Sequence, residues 1–282
     1  MKKTVIIQIV GGLGNQMFQY SAGLALAEKL NAELVLDITH FQKYKLHSFG
    51  LKNYGIEHKL ISNRLELFFC LVKKMMFTKK SYYRESGLNY SPFFDQIFHS
   101  VYLKGYFQSE KYFYSVRDSL LKAFALKEEN LSQYTLSILA EMKNEKCLIS
   151  LHVRRGDYLL AKNQSVHGLC DLDYYKRAMN HFQELNLTPR FVIFSDDIAW
   201  TKENLGLDDT HFFIDGNGVD RNYEDIFLMS NCHHHIMANS SFSWWGAWLN
   251  PAADKIVIAP KNWFSNETLS AEDIYGHKWK RL

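Results

Sequence analysis

The stretch TVIIQIVGGLGNQMFQY, residues 4–20, decides what kind of fold the chain can adopt. Its first seven residues form a continuous β-branched and apolar run, the pattern of a parallel strand buried on both faces. Glycines 11, 12 and 14 then turn the chain, and Met17, Tyr20, Leu24 and Ala27 recur at spacings of three and four, which predicts a helix. AELVLDI (32–38) reads as the next strand. Strand, glycine turn, helix and strand open a doubly wound α/β sheet. The turn itself matches neither familiar phosphate-binding pattern. A P-loop closes on Gly-Lys-Ser/Thr, whereas Gly14 precedes Asn15 and Gln16; a dinucleotide fingerprint needs Gly or Ala where Met17 stands.

The chain has 282 residues, enough for one large or two medium domains with substantial cores. Apolar residues make up 47% and aromatic residues 15%, which argues for a folded protein and against disorder. A net charge of +3 is too small to signal nucleic-acid binding. Cys70, Cys147, Cys170 and Cys232 lie far apart without a CxxC pair, so neither a zinc ribbon nor a disulfide scaffold is indicated, and reduced thiols in a cytoplasm are expected. Lys2, Lys3 and the run VIIQIV imitate a secretory signal, but Gln8, Asn15, Gln16 and Gln19 interrupt it. No run approaches the ~20 apolar residues of a membrane span. The triplet Asn186-Leu187-Thr188 then reads as a chance match to a glycosylation site.

A second α/β unit is expected from Cys147 onward. CLISLHV (147–153), RFVIFSDD (190–197), HHIMAN (234–239) and KIVIAP (255–260) read as strands or strand exits. DLDYYKRAMNHFQEL (171–185), IAWTKENL (198–205), YEDIFLMSNC (223–232) and SFSWWGAWL (241–249) read as helices, the second closed by Gly206 and the last stopped by Pro251. Two sheets with a joint around 125–146 is the simplest organisation. The segment RLELFFCLVKKMMFTKK (64–80) has two readings: a packed helix with solvated lysines, or a helix resting on anionic lipid.

The chemistry concentrates at the carboxyl ends of the later strands, where open α/β sheets bind ligands. LHVRRGDY (151–158) brings two arginines to the end of a buried strand, where each needs an anion. Alternation places His152 and Arg154 on one face and Arg155 on the other. Arg154 is accordingly assigned to a ligand and Arg155 to a structural ion pair; pairing of both with Asp157 and other acids is the plainer alternative. FSDD (194–197) supplies Asp196 and Asp197 on the same rim, with Asp196 or Ser195 expected to cap the next helix and the other acid left to read a donor edge. ANSSFSWWGAWL (238–249) adds Asn239, Ser240 and Ser241, ordinary capping residues that also suit a phosphate. Trp244, Trp245 and Trp248 read as packing. Asp171-Leu172-Asp173 spells the DxD of metal-dependent sugar transferases, but it opens a helix, where acids are favoured anyway. His233, His234 and His235 are adjacent and point in different directions, so they read as structural.

GGLGNQMFQY, HVRRGDY, FSDD and NSSFSWWGAWL, in that order, resemble glycosyltransferase family 11, the α-1,2-fucosyltransferases, from residue 6 to about 264. His-x-Arg-Arg-x-Asp is also similar to α-1,6-fucosyltransferases, and Gly-x-x-Gly-Asn-Gln to protein O-fucosyltransferases. The resemblance implies two Rossmann-like domains facing a cleft (the GT-B type), residues 1–140 on the acceptor side and 141–282 binding GDP-L-fucose. It implies inversion at the anomeric carbon, no metal ion or other cofactor, and a terminal β-galactose of a glycan as acceptor. On this basis His152, Arg154, Asp196, Asp197, Asn239, Ser240 and Ser241 are expected at the donor, with Arg154 catalytic through the leaving diphosphate. Asp157 is the nearest motif carboxylate for the acceptor hydroxyl; the glutamate that the α-1,6 relatives use farther along has no obvious equivalent, and Lys162 lies nearby. Asn15 and Gln16 are expected to offer amides to the cleft. A bacterial-type enzyme acting in the cytoplasm on lipid-linked glycan precursors follows, with peripheral contact to the inner membrane face. The alternatives are a fucosyltransferase of different linkage, a DxD-type metal-dependent transferase and a non-catalytic glycan-binding protein.

Overall fold

The computed structural model describes residues 2–44, 46–75, 81–156, 168–185, 187–266 and 269–282, the side chains of 73–75 excepted. Asp157, Lys162, Asn186 and the 76–80 end of the basic segment lie outside the described residues. The chain divides into two units, Met1–Ala125 with Glu272–Ile274, and Leu126–Ala271 with Tyr275–Leu282.

The first unit contains β1 (Thr4–Gln8), α1 (Leu13–Leu30), β2 (Glu33–Asp37), β3 (Lys59–Ile61), α2 (Arg64–Met75), β4 (Tyr82–Arg84), β5 (Val101–Lys104) and α3 (Arg117–Ala123). Its strands form one parallel sheet in the order β3-β2-β1-β5-β4. Central β1 is the apolar run of the opening stretch, and Val5, Ile6 and Ile7 are wholly buried. The strand is shorter than its apolar pattern because Val10 leaves the ladder and donates its N–H to Gln19 Oε1 at 2.8 Å. Helix α1 is buried on nearly every side, where the spacing of Met17, Tyr20, Leu24 and Ala27 predicts one buried face. Gly23 permits this, because a Cβ there would stand 2.9 Å from Ile7 Cγ2. Helix α2 packs Leu67, Cys70 and Leu71 against Ile6, Val35, Ile61 and Tyr102. Its opposite face, with Leu65, Phe68, Phe69 and Val72, is exposed.

The second unit contains α4 (Gln133–Met142), β6 (Leu148–Val153), α5 (Leu172–Glu184), β7 (Arg190–Ser195), α6 (Ile198–Leu205), β8 (Phe212–Ile214), α7 (Asn222–Ser230), β9 (His234–Ile236), α8 (Ser241–Leu249), β10 (Val257–Ala259) and β11 (Lys280–Arg281). These strands are parallel in the order β11-β10-β9-β6-β7-β8. Each face of the sheet has its own core. Ile149, Leu151 and Val153 pack with Tyr175, Ala178 and Phe182 of α5 and with Ile198 and Trp200 of α6. Leu148 and Val192 pack with Leu139 of α4, Leu228 of α7 and Phe242 of α8. The boundary expected at 140 falls inside α4, whose Leu139 and Met142 belong to this second core; the division lies instead between Ala125 and Leu126. Among the described residues no helix is long and apolar enough to cross a membrane.

Candidate functional site

Strand β6 is buried along its whole length and runs in register with β7, His152 opposite Phe194 and Val153 opposite Ser195. The next residues of both strands therefore meet at one rim. Asp196 accepts the Arg155 backbone N–H on Oδ1 at 2.8 Å, and its Oδ2 lies 3.4 Å from Arg154 Nε. Gly156 makes room for that carboxylate, since a Cβ there would stand 2.7 Å from Asp196 Oδ2. Asp197 is the helix cap, its Oδ1 accepting the Trp200 N–H at 3.1 Å, while Ser195 Oγ accepts the Asp197 N–H at 2.9 Å.

The two arginines follow the alternation of the strand. Arg155 reaches the α5/α6 face, where its guanidinium carbon lies 3.6 Å from the Trp200 ring centre and its Nε 3.7 Å from Asp197 Oδ2. A cation held flat on an indole and beside a carboxylate is a structural arrangement. His152 takes the other face, with its ring centre 5.8 Å from that of Phe242 at the start of α8. His152 is 5% exposed and its Nδ1 has no hydrogen-bond partner among the described residues. Burial, with Arg154 adding to it, pushes its pKa down to about 3, so the ring is neutral near pH 7 and carries one N–H donor and one acceptor. Asp197 caps α6, and Asp196 accepts the Arg155 N–H beside the Arg154 guanidinium.

The third rim element is more structural than its sequence suggests. Asn239 is buried and ties loops together, donating from Nδ2 to Trp263 O at 3.2 Å and to Gly168 O at 3.4 Å, and accepting from Cys170 Sγ at 3.5 Å. Ser240 caps α8 by accepting the Phe242 N–H at 3.3 Å, which leaves Ser241 as the first helical residue. Trp244, Trp245 and Trp248 are buried and pack edge-on and stacked at 5.0–6.0 Å. The three histidines diverge as their adjacency predicts. His233 Nδ1 accepts the Leu148 N–H, and His234 Nδ1 accepts the Ile256 N–H. His235 lies between Ser150 Oγ and Asn250 Nδ2, which makes its Nε2 the acceptor and its Nδ1 the donor. Asp171 caps α5, its Oδ1 accepting the Tyr174 N–H at 2.6 Å.

In the first unit the glycine loop ends at the α1 N-terminus. Gly11 has φ +80° and Gly12 is the N-cap, so Asn15 is a residue of the first turn and not the cap. Asn15 Oδ1 accepts from Gln108 Nε2 at 2.8 Å. Gln16 is fully buried, donates to Gly11 O and Ser48 O at 2.9 Å each, and accepts the Gly50 N–H at 2.8 Å. Its amide is committed to the loops, and the placement expected for it toward a ligand is corrected accordingly. Gln19 Nε2 reaches Gly105 O at 3.1 Å. The stretch Gly105–Gln108 beside it escaped the sequence reading. Phe107 is wholly buried at φ +54°, an unusual conformation for a side-chain-bearing residue, and Glu85 holds it by accepting the N–H groups of Tyr106 and Phe107. The signal available in the sequence was a glycine one residue after a short apolar run, VYLKG (101–105).

Two parallel Rossmann-like sheets, the second bearing an arginine-rich rim, define a GT-B-type glycosyltransferase. A profile of Glycosyl transferase family 11 matches residues 1–282, and the chain belongs to that family. It is 34% identical to an Alpha-1,2-colitosyltransferase of Escherichia coli, over 99% of this chain and 98% of that protein. It is 32% identical to the O-antigen biosynthesis glycosyltransferase WbnK of the same species, over 92% and 95%. Human Galactoside alpha-(1,2)-fucosyltransferase 1 is 29% identical over 56% of this chain and 45% of that protein. Among solved structures, a mutant of Arabidopsis thaliana FUT1 in complex with GDP superposes with a TM-score of 0.50 at 12% identity, covering 93% of this chain and 72% of that one.

Proposed function

We propose that the protein transfers L-fucose from GDP-L-fucose to the 2-hydroxyl of a terminal β-galactose, with inversion and without a metal ion. The observation that carries the reading is Arg154, set at the end of β6 by Asp196 beside the neutral, buried His152. In the reaction the acceptor oxygen attacks the anomeric carbon from the face opposite GDP. The bond from that carbon to the diphosphate breaks, and its electron pair stays on the β-phosphate oxygen. A fixed guanidinium meets that growing charge with two parallel N–H groups, which a lysine cannot do. The hydroxyl proton passes to a base, and Asp157 is the carboxylate of the motif assigned to it. His152 supplies a donor and an acceptor for the guanine edge.

The metal-free reading is supported by the roles of the alternative ligands. Asp171 caps a helix and the three histidines bond in separate directions. Among the described residues no three His, Cys, Asp or Glu side chains are grouped to hold a metal ion. Cytoplasmic action on a glycan precursor belongs to the same proposal; the four cysteines, all free thiols, accord with it.

A second reading takes colitose as the sugar, favoured by the 34% identity to the E. coli colitosyltransferase. Colitose is fucose without the 3-hydroxyl, so a site that hydrogen-bonds that hydroxyl discriminates strongly and an apolar one does not. Offering GDP-fucose and GDP-colitose to the purified protein with a β-galactoside, and reading product linkage by NMR, separates the readings. Fucose at O2 is the expected product. Exclusive colitose transfer, or fucose at another position, contradicts the proposal.

A further inference from the structure

The exposed face of α2 has the wrong chemistry for water. Leu65, Phe68, Phe69 and Val72 are 65, 54, 60 and 45% exposed, and they stand at i, i+3, i+4 and i+7. This is the spacing by which a helix normally buries a continuous apolar stripe. Here the helix has two such stripes, and Leu67, Cys70 and Leu71 already occupy the inward one. Scattered apolar residues on a surface need no explanation, but an ordered stripe does.

The charge of the sequence that carries the stripe indicates what covers it. Between residues 58 and 80 the sequence carries Lys59, Arg64, Lys73, Lys74, Lys79 and Lys80 against one acid, Glu66. Glu66 is engaged at its own helix start, donating its N–H to Asn63 Oδ1 at 2.8 Å and accepting from Asn63 Nδ2 at 3.5 Å. At the same end of α2 a cavity of about 330 Å³ is lined by Gln8, Thr39, His40, Lys43, Tyr44 and Arg64. Two cations, two hydroxyls and an imidazole around one hollow suit a phosphate group. An apolar stripe, a basic segment and a hollow with phosphate-binding groups together match the surface of an anionic bilayer. A second copy of this chain fits less well, because a two-fold contact would bring the same cations face to face.

We propose that α2 docks the protein on anionic membranes, with Phe68 and Phe69 entering the headgroup–acyl boundary and Arg64 and Lys43 holding lipid phosphate. The test is co-sedimentation of the full chain with vesicles of phosphatidylcholine, with and without phosphatidylglycerol. Binding is expected only when phosphatidylglycerol is present, and it weakens as salt is raised. Phe68→Ser/Phe69→Ser is expected to weaken it at least ~10-fold, and Lys43→Glu/Arg64→Glu comparably, with melting temperature and GDP affinity at parent values. Three results overturn the proposal: no association with anionic vesicles, parental binding by the Phe68/Phe69 variant, or a parental dimer that this variant turns into a monomer. Failure of GDP to bind would instead count against the catalytic reading and leave vesicle binding unaffected.

Discussion

The two units end their central strands in residues of opposite chemistry. After β1, the loop with Gly11 and Gly12 is neutral, and its amides are fastened to one another and to neighbouring loops: Gln16 to Gly11, Ser48 and Gly50, Gln19 to Val10 and Gly105, and Asn15 to Gln108. After β6, the loop is charged, with Arg154 and Arg155 set against Asp196 and Asp197. A parallel sheet offers a binding rim at the carboxyl end of either central strand. What fills the rim decides its use. Amides locked by backbone carbonyls make a firm platform of fixed shape, whereas Arg154, set beside Asp196, is the group proposed to meet an anion.

The sharpest break in the comparison is at Arg154. Arg154→Lys keeps the charge and loses the planar fork, and the expected loss of transfer is ~10²–10³-fold, corresponding to about 3–4 kcal/mol, in a protein that melts normally. Steady-state fucose transfer beside a thermal melt measures both. The first unit responds in stability. Gln16→Glu replaces a donor facing Gly11 O and Ser48 O with a carboxylate oxygen, in a fully buried site. Urea unfolding is expected to show a loss of about 2–4 kcal/mol. Without such a loss, the loop is looser than its hydrogen bonds indicate.

The smallest effect is the pH response of His152. Its folded pKa of about 3 lies below the ordinary 6.5, so the unfolded chain binds more protons between these values. Its contribution to stability is complete above pH 6.5 and is lost as the pH falls toward 3. Asp225, raised by burial to about 7, acts in the opposite sense over the acid range, so the parent curve alone is uninformative. The difference between parent and His152→Gln removes that background. The variant is expected to lose less melting temperature than the parent between pH 7 and pH 5, as followed by circular dichroism.

Much of the second unit was legible because local rules and tertiary structure agree there. The runs that predict β6 and β7 are strands, the alternation separates His152 from Arg155, and the adjacent histidines diverge. The first unit was less legible for identifiable reasons. The partners of Gln16 lie 32 and 34 residues away and the partner of Asn15 lies 93 away, distances over which periodicity carries no information. Strands β3 and β4 have three residues each, too few to show a period. Helix α2 carries apolar residues on two faces, and only the fold shows which of them meets the sheet. The same holds for the cap of α6, which the sequence assigns to Asp196 or Ser195 and the fold supplies from Asp197.

The central claim is that the charged rim of the second unit, and not the amide rim of the first, holds the donor diphosphate. Calorimetric titration of GDP into the parent, Arg154→Lys and Asn15→Asp proteins tests it most directly. Asn15→Asp removes an amide donor and adds a negative charge in the first turn of α1, while its carboxylate can still accept from Gln108. The account predicts parental GDP affinity for Asn15→Asp, together with slower transfer, and GDP binding at least ~10-fold weaker for Arg154→Lys. Weakened GDP binding by Asn15→Asp with parental binding by Arg154→Lys would contradict it.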